Sequence, residues 1–310
     1  MTPSESDNQI SVKSVFDSQD VVGESIIWDD RNGNLIWIDI VGKCIHRLQL
    51  TTGKHKVWPT PDFITSLGLR EDKGAIVSLS KELCWWDFDE HFSAFLEVEP
   101  DQPDNRINEC MVAPDGSYWV GTMQNNLHSN GSPKEVTASL GAYYRVTPND
   151  ELQRLTKNIY GITNTMAWTD NGRFLTADSL ANKIYAFRYD DKTKTLSDRN
   201  LFAPAFERGS PDGSCLDEEG FLWNCRVAGG GCLVRYAPNG NIDRVVDLPC
   251  TWPTSCTFGG DNLETLFVTS ARFTMSPDYL NNNPHEGNLW ALKPGVRGQL
   301  CNRLGSKSKI

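Results

Sequence analysis

Oxygen-bearing side chains recur at one position of a segment that is repeated along this chain. Each copy contains a polar residue, a short apolar run, an acidic turn that ends in glycine, and a second apolar run. Counting back eight positions from the turn glycine, or nine where the first turn is longer, reaches Glu24, Asn108, Asn164 and Asp212. Carboxylate and amide oxygens are the ligands that hard divalent cations prefer. If these four side chains meet in space, they predict a metal site.

The spacing of the repeat predicts the fold that would bring them together. The second strands of the copies are expected to begin near residues 35, 75, 118, 174, 222 and 266, at intervals of 40, 43, 56, 48 and 44 residues. Such intervals are typical of propeller blades of roughly 40 to 50 residues. Short apolar segments bounded by turn residues, without helical periodicity, indicate an all-β chain. We therefore predict a six-bladed β-propeller with four antiparallel strands per blade.

The first predicted strand, over residues 11–16, precedes the first repeat. It is expected to complete the last blade and close the ring, which removes an exposed sheet edge. The repeat also favours a single domain over residues 1–310, with a core from about residue 11 to residue 300 and polar termini. The tail, residues 302–310, is expected to be frayed because it is polar.

Composition limits the partners and the compartment. A net charge of −10 argues against binding to nucleic-acid phosphates or an anionic membrane surface. The nine cysteines occur singly and mostly within apolar runs, as reduced core cysteines do. Residues 1–8 lack the basic and apolar stretches of a signal peptide. We expect a cytoplasmic protein; the sequence does not predict its oligomeric state.

In a propeller, the first strand of each blade lines the central channel and the second runs back beside it. Equivalent positions in a closed ring converge on its axis, so Glu24, Asn108, Asn164 and Asp212 are expected at one mouth of the channel. The two carboxylates would repel each other without a cation, and one would take up a proton. The competing interpretation is that polar residues at strand starts only satisfy the backbone of nearby loops.

The same rim should carry the ends of the second strands. These positions are Asp39, Gln124, Asp178, Arg226 and Arg272. Asp178 either orients the amide of a metal ligand without contacting the metal itself, or forms the turn before Ser179. Arg226 and Arg272 either bind substrate hydroxyls or an anionic group, or balance the acidic cluster.

Several short motifs, in their order and spacing over roughly residues 23–298, resemble one known family. The motifs are Gly23-Glu24-Ser25, Arg106-Ile107-Asn108-Glu109, Gly121-Thr122-Met123, Ile162-Thr163-Asn164, Ala177-Asp178-Ser179, Pro211-Asp212-Gly213, Phe267-Val268-Thr269-Ser270-Ala271-Arg272 and Pro294-Gly295-Val296-Arg297-Gly298. Together they resemble the gluconolactonases of the senescence marker protein (regucalcin) and luciferin-regenerating enzyme group. Those proteins are six-bladed propellers that hydrolyse sugar lactones with one divalent metal.

The resemblance implies roles for individual residues. Glu24, Asn164 and Asp212 would be the metal ligands, and Asp212 would also be the acid/base residue. The substrate's hydroxyls would be held by Arg106, Asn108 and Glu109, with Gln124 nearest to the position of an acidic substrate-contacting residue of the animal members. This chain has Asn164-Thr165-Met166 where the family usually has Asn-Gly-Leu, and Asn108-Glu109 where it usually has Asn-Asp.

The function expected from these observations is hydrolysis of an aldonolactone of five or six carbons to the aldonic acid. One divalent cation, calcium, zinc, manganese, magnesium or iron(II), would polarise the carbonyl, and Asp212 would act as general base. One alternative is a lactonase or esterase of the paraoxonase and strictosidine-synthase-like propellers. The other is a non-catalytic binding scaffold, although the combined Gly-His and Trp-Asp signature of scaffold repeats does not occur, since the sequence has no Gly-His pair.

Overall fold

The computed structural model describes residues 10–147 and 150–305. In the first half of the chain the strands are β1 (Val12–Phe16), β2 (Gly23–Asp29), β3 (Asn34–Asp39), β4 (Cys44–Gln49), β5 (His55–Pro59), β6 (Ile64–Leu69), β7 (Ala75–Leu79), β8 (Glu82–Trp86), β9 (Phe92–Glu97), β10 (Asn105–Val112), β11 (Tyr118–Gln124), β12 (Tyr143–Val146) and β13 (Leu152–Arg154). In the second half they are β14 (Thr163–Trp168), β15 (Arg173–Asp178), β16 (Lys183–Asp190), β17 (Thr195–Ala203), β18 (Ser210–Leu216), β19 (Leu222–Val227), β20 (Cys232–Tyr236), β21 (Ile242–Asp247), β22 (Pro253–Gly259), β23 (Thr265–Ser270) and β24 (Leu289–Leu292), with the helix α1 (Pro277–Asn282) before the last strand.

These strands form six four-stranded antiparallel sheets, arranged as the blades of a six-bladed β-propeller. Blades 1 to 5 each take four consecutive strands, beginning with β2, β6, β10, β14 and β18. Blade 6 has the order β22-β23-β24-β1, with Val12 opposite Leu292. The predicted fold class and the closure of the ring by the N-terminal strand are therefore confirmed.

Burial decreases from the two strands of each blade nearest the channel to its outer edge. The inner strands β6 and β22 and the second strands β3 and β7 are buried at every position, whereas the outermost strands β17 and β21 are mostly exposed. Trp37, Trp119 and Trp223 lie on second strands and are completely buried between blades. The apolar core is thus a set of interfaces between neighbouring sheets around the channel.

Every innermost strand has a register shift close to its start. The shifts lie between Glu24 and Ile27, Ile64 and Ser66, Ile107 and Cys110, Asn164 and Met166, Pro211 and Ser214, and Pro253 and Cys256. Such a bulge leaves backbone groups out of the ladder and changes the direction of nearby side chains. All six bulges occupy the same level of the channel, where the predicted metal and substrate residues lie.

Neighbouring inner strands are joined at this level by side-chain contacts. Thr254 Oγ1 donates to Gly23 O, Leu67 N to Ser25 Oγ, Cys110 N to Ser66 Oγ, Asn108 Nδ2 to Thr163 O, and Thr165 Oγ1 to Asp212 O. Between blades 5 and 6, the Sγ atoms of Cys215 and Cys256 lie 3.6 Å apart. The inner strands are therefore held to each other by polar groups as well as by packing.

The described part of the C-terminal tail is ordered, so the expectation of a frayed tail from residue 302 is wrong up to residue 305. Asn302 Nδ2 donates to Val112 O, and Arg303 Nη2 donates to Asp29 Oδ1 at 2.7 Å. Leu304 is buried and pairs with Arg70. Residues 299–303 border the channel beside the ends of the inner strands and cover the mouth opposite the bulges. Residues 306–310 lie outside the described part.

Within the described ranges, no helix has the length and apolar character that crossing a membrane requires.

A substitution in the C-terminal segment tests this anchoring. Leu304 belongs to the same buried apolar cluster as Ile76 and Tyr118 and is 7% exposed. Leu304→Ala should lower the free energy of unfolding by about 2 to 3 kcal/mol, because it removes buried methyl groups and leaves a cavity. Leu300→Ala is the matched control, since Leu300 is 54% exposed. Urea unfolding measures both variants, and equal midpoints would show that the segment is not anchored.

Candidate active site

The channel contains a cavity of about 620 Å³ that extends from the level of the bulges to residues 299–303 at the opposite mouth. Its wall includes all four residues at the repeated position, Glu24, Asn108, Asn164 and Asp212. Arg106 and Glu109 line the same cavity. The volume is within the range of small-molecule binding sites. The fold therefore brings together side chains that lie up to 188 positions apart in the sequence.

Three acidic residues line this cavity close enough to repel one another. Burial raises the pKa of Glu24 to about 7. Burial and then the charge of Glu24 raise the pKa of Glu109 to about 8. The pKa of Asp212 is also raised well above its ordinary value, first by burial and then by repulsion from Glu24 and Glu109. Without a cation, the cluster therefore holds protons near neutral pH.

The orientation of the Asn164 amide follows from its neighbours. Ser179 Oγ donates to Pro211 O at 2.6 Å, so its lone pairs accept a hydrogen bond from Asn164 Nδ2 at 2.8 Å. The other end of the amide, Asn164 Oδ1, accepts only a long bond of 3.3 Å from Asn108 Nδ2. The oxygen thus remains available on the side of the cavity.

Arg106 is buried beside the acidic cluster, and its donors are largely engaged. Its Nε and Nη2 donate to Asn126 Oδ1 at 3.0 and 2.8 Å, and its Nη1 donates to Asn108 Oδ1 at 2.9 Å. Burial lowers the pKa of the guanidinium to about 10, and Glu24 opposes that shift. Arg106 stays charged at neutral pH and offsets part of the negative charge of the acidic cluster.

Thr165 adopts an unusual backbone conformation next to Asn164. Its φ is 58°, in the left-handed region that disfavours β-branched residues. Two bonds hold it there: Thr165 N donates to Glu109 Oε2 and Thr165 Oγ1 donates to Asp212 O, both at 2.6 Å. This conformation explains why a glycine suits the position, and Thr165 uses its hydroxyl to fix the strand that carries Asp212.

The oxygen atoms of Glu24, Asp212 and Asn164 form a donor set that could hold a divalent cation. Glu24 and Asp212 supply carboxylates, and Asn164 supplies a neutral oxygen, which together are hard ligands. In residues 10–147 and 150–305, no three His, Cys, Asp or Glu side chains are arranged to hold an ion by themselves. A metal site formed by Glu24 and Asp212 would therefore also depend on the amide oxygen of Asn164 and on oxygens of water or substrate.

Two residues predicted near the site are used by nearby loops instead. Gln124 Oε1 accepts hydrogen bonds from Thr137 N and Ala138 N at 2.7 and 3.0 Å, and Gln124 is not part of the cavity wall. Asp178 accepts bonds from the backbone of Gly161 and Leu180. For Asp178 this geometry matches the turn-forming alternative.

The two arginines predicted at the rim also point away from the cavity. Arg226 Nη2 donates to Gly209 O at 2.7 Å and to Asn182 Oδ1 at 2.5 Å, and the side chain is 1% exposed. Arg272 Nη1 donates to Gln19 Oε1 at 3.2 Å at the surface. Neither arginine is among the residues that line the cavity. Arg226 supports the loop before Asp212, and its charge opposes the rise in the pKa of that carboxyl, which matches the alternative that it balances the acidic cluster. Arg272 ties blade 6 to the N-terminal segment.

A protein-family model described as "SMP-30/Gluconolactonase/LRE-like region" matches residues 22–272. The chain belongs to this family. Among curated members, the regucalcins of Oryctolagus cuniculus and Homo sapiens are each 30% identical to it over 296 residues, which is 94% of this chain and 97% of each relative. The family identified by resemblance from the sequence motifs is therefore confirmed.

Solved structures of related proteins share the propeller. A calcium-binding protein, regucalcin, from Agrobacterium tumefaciens superposes with a TM-score of 0.86 at 24% identity, covering 96% of this chain and 98% of that one. A luciferin-regenerating enzyme gives the same TM-score and identity, and the superposition covers 96% of this chain and 100% of that one. A gluconolactonase from Xanthomonas campestris gives 0.74 at 22% identity, over 92% and 89% of the two chains.

Sequence reasoning did not identify two polar residues of the site in this member of the SMP-30/gluconolactonase family. Ser179 holds the amide of Asn164, and Asn126 holds the guanidinium of Arg106. Ser179 directly follows Asp178 in a quoted family motif, so its position was a usable signal. Asn126 lies in the insertion after β11, where nothing in the repeat marks it.

Replacing Ser179 tests how the Asn164 amide is held. Ser179→Ala removes a bond to Asn164 and a bond to Pro211 and leaves buried polar atoms unpaired. The free energy of unfolding should fall by about 1 to 3 kcal/mol. Ser197→Ala, on the exposed face of β17, should change it by less than about 0.5 kcal/mol. Urea unfolding in the presence of chelator compares the two, and equal effects would contradict the assignment.

Proposed function

We propose that this protein hydrolyses the ester bond of a sugar-acid lactone (an aldonolactone) with the help of one divalent cation. Membership of the SMP-30/gluconolactonase family supports lactone hydrolysis in general. The observation that carries the more specific proposal is the ring of Glu24, Asn164 and Asp212 at the wall of one cavity. We propose these three residues as the metal ligands and Asp212 as the general base.

A bound cation would supply Lewis-acid polarisation of the lactone carbonyl and stabilise the negative charge that develops on its oxygen. The raised pKa values of Glu24 and Asp212 support this assignment, because the buried carboxylates lack a full counter-charge. A relative from Agrobacterium tumefaciens is described as calcium-binding, which makes calcium the first ion to test.

In this proposal, Asp212 takes a proton from the attacking water. Its backbone oxygen accepts bonds from Thr165 Oγ1 at 2.6 Å and Asn224 Nδ2 at 3.1 Å, so the main chain is fixed. Its carboxylate lines the cavity. The carboxylate would accept the proton from water and return it to the ring oxygen when the ester bond opens.

The other polar residues of the wall would orient the substrate. Arg106, Asn108 and Glu109 lie on the same inner strand and line the cavity next to the ring. Asn126 would join them, since it is bonded to Arg106, whereas Gln124 would act only on the loop of residues 125–139. Lactones are reactive esters, so positioning, one cation and one base provide the catalysis that is needed.

Asp212→Asn tests the general base. The substitution keeps the shape but removes proton acceptance, so kcat on D-xylono- or D-gluconolactone should fall about 10²- to 10⁴-fold. Asp261→Asn, at an exposed turn, should keep wild-type rates. Acid release is measured with each divalent cation and with chelator. Undiminished turnover of Asp212→Asn would remove it from this role, and no hydrolysis with any cation would favour a binding scaffold.

Proton release tests the metal ligands. At pH 7 the cation-free ring holds protons, because the pKa of Glu24 is about 7 and that of Asp212 is higher than its ordinary value. Since a cation needs ionised carboxylates, calcium binding should release protons, and its affinity should rise as the pH increases from 5 to 8. An indicator dye in weak buffer measures the release. Glu24→Gln should release fewer protons, and a pH-independent affinity would contradict the proposal.

A further inference from the structure

The mouth of the cavity above the ring is chemically asymmetric. Blade 3 contributes the polar side chains of Arg106 and Asn126. Most of the apolar surface on this side comes from residues just before inner strands, or at and just after the ends of second strands, in blades 1, 4, 5 and 6. These apolar residues are Val41, Ile162, Leu180, Val227, Trp252 and Phe273. We call them the apolar wall. Ser179 and Ser210 also line this side, and the hydroxyl of Ser179 is engaged with Asn164 and Pro211.

The side chains of the apolar wall are partly open to solvent. Leu180 is 53% exposed, and the other five are half-buried. The rings of Trp252 and Phe273 lie 6.4 Å apart at an angle of 70°, an edge-to-face pair that gives blade 6 a defined apolar surface. Contact with an apolar ligand group would remove this surface from water and so stabilise the complex.

A fully hydroxylated lactone uses only part of this mouth. Hydroxyl groups that face Leu180 or the ring face of Trp252 would lose water without gaining a partner, because these surfaces offer neither a hydrogen-bond donor nor an acceptor. The polar side of blade 3 can bind hydroxyls at one edge of the lactone ring. The opposite edge faces apolar atoms.

We propose that the apolar wall is a subsite for an apolar substituent on the lactone ring. The substrate class is a lactone whose carbonyl lies at the ring of Glu24, Asn164 and Asp212, whose polar edge faces Arg106, and whose alkyl or aryl substituent packs on the apolar wall. The inference rests on the proposed lactone hydrolysis and adds to it which lactones are preferred.

A series of γ-lactones with lengthening alkyl chains tests the subsite. γ-Valerolactone, γ-hexalactone, γ-octalactone and γ-decalactone share one ring and one reactive bond, and D-xylono-γ-lactone adds hydroxyls without the chain. In the wild-type protein, kcat/KM should rise roughly two- to threefold per methylene, below the about fourfold of full burial, because the wall is half open. The assay uses the full chain with calcium and, in parallel, manganese and zinc.

Two leucines of blade 4 provide a matched pair of variants. Leu180 belongs to the apolar wall and is 53% exposed, whereas Leu201 lies on the outermost strand β17 and is 54% exposed. Leu180→Ser should lower the ratio of kcat/KM for the longest to the shortest lactone by at least about threefold. Leu201→Ser should leave the ratio at its wild-type value. Trp252→Ser, measured as a second wall variant, should act like Leu180→Ser.

The outcomes separate the two proposals. Hydrolysis of D-xylono-γ-lactone without any gain along the alkyl series would overturn the subsite and keep the proposed function. A gain that survives in Leu180→Ser and Trp252→Ser, or that is lost equally in Leu201→Ser, would also overturn the subsite. Failure to hydrolyse every lactone with every cation would overturn both.

Discussion

The bulge near the start of each inner strand is the constraint on which the site depends. Six strands converge on one axis, and at that level each leaves its ladder for a residue or two. The freed groups must find partners, since an unpaired buried N–H is costly. Glu109 accepts from Thr165 N and Ser66 from Cys110 N. The residues that satisfy the bulges are therefore also residues that line the cavity.

The concentration of acid at this level has an energetic cost. Glu24, Glu109 and Asp212 share a buried space. The charges of Arg106, which acts on Glu24, and of Arg226, which acts on Asp212, compensate them only in part. Burial is the largest cause of their raised pKa values, and repulsion between the carboxylates adds to it for Glu109 and Asp212. Because burial and repulsion disfavour the ionised forms of these carboxylates, a cation bound among them would stabilise the site. Packing between blades, with buried Trp37, Trp119 and Trp223, offsets the cost.

The sequence predicted most of the fold and part of the site. The second strands begin at residues 34, 75, 118, 173, 222 and 265, within one residue of the predicted positions. The repeat succeeded because strand, turn and strand are set by local pattern. It failed for Gln124 and Arg272, because a strand end fixes where a side chain starts and not which loop atoms it meets. The expectation of a frayed tail was wrong for a similar reason. Its polar residues bind partners that are distant in the sequence, as Arg303 binds Asp29.

The amino-acid sequence by itself determined the six repeats, the antiparallel blades, the closing strand and the alignment of Glu24, Asn108, Asn164 and Asp212 at one level, because periodic apolar patterns and turn residues act over short distances. Only the tertiary structure decided which atoms face the cavity. The hydroxyl of Ser179 orients the Asn164 amide and Asn126 holds Arg106, in each case from the loop that follows the second strand of the same blade. Leu180 and Trp252, from blades 4 and 6, line the same cavity. Such contacts depend on side-chain directions that no local pattern specifies.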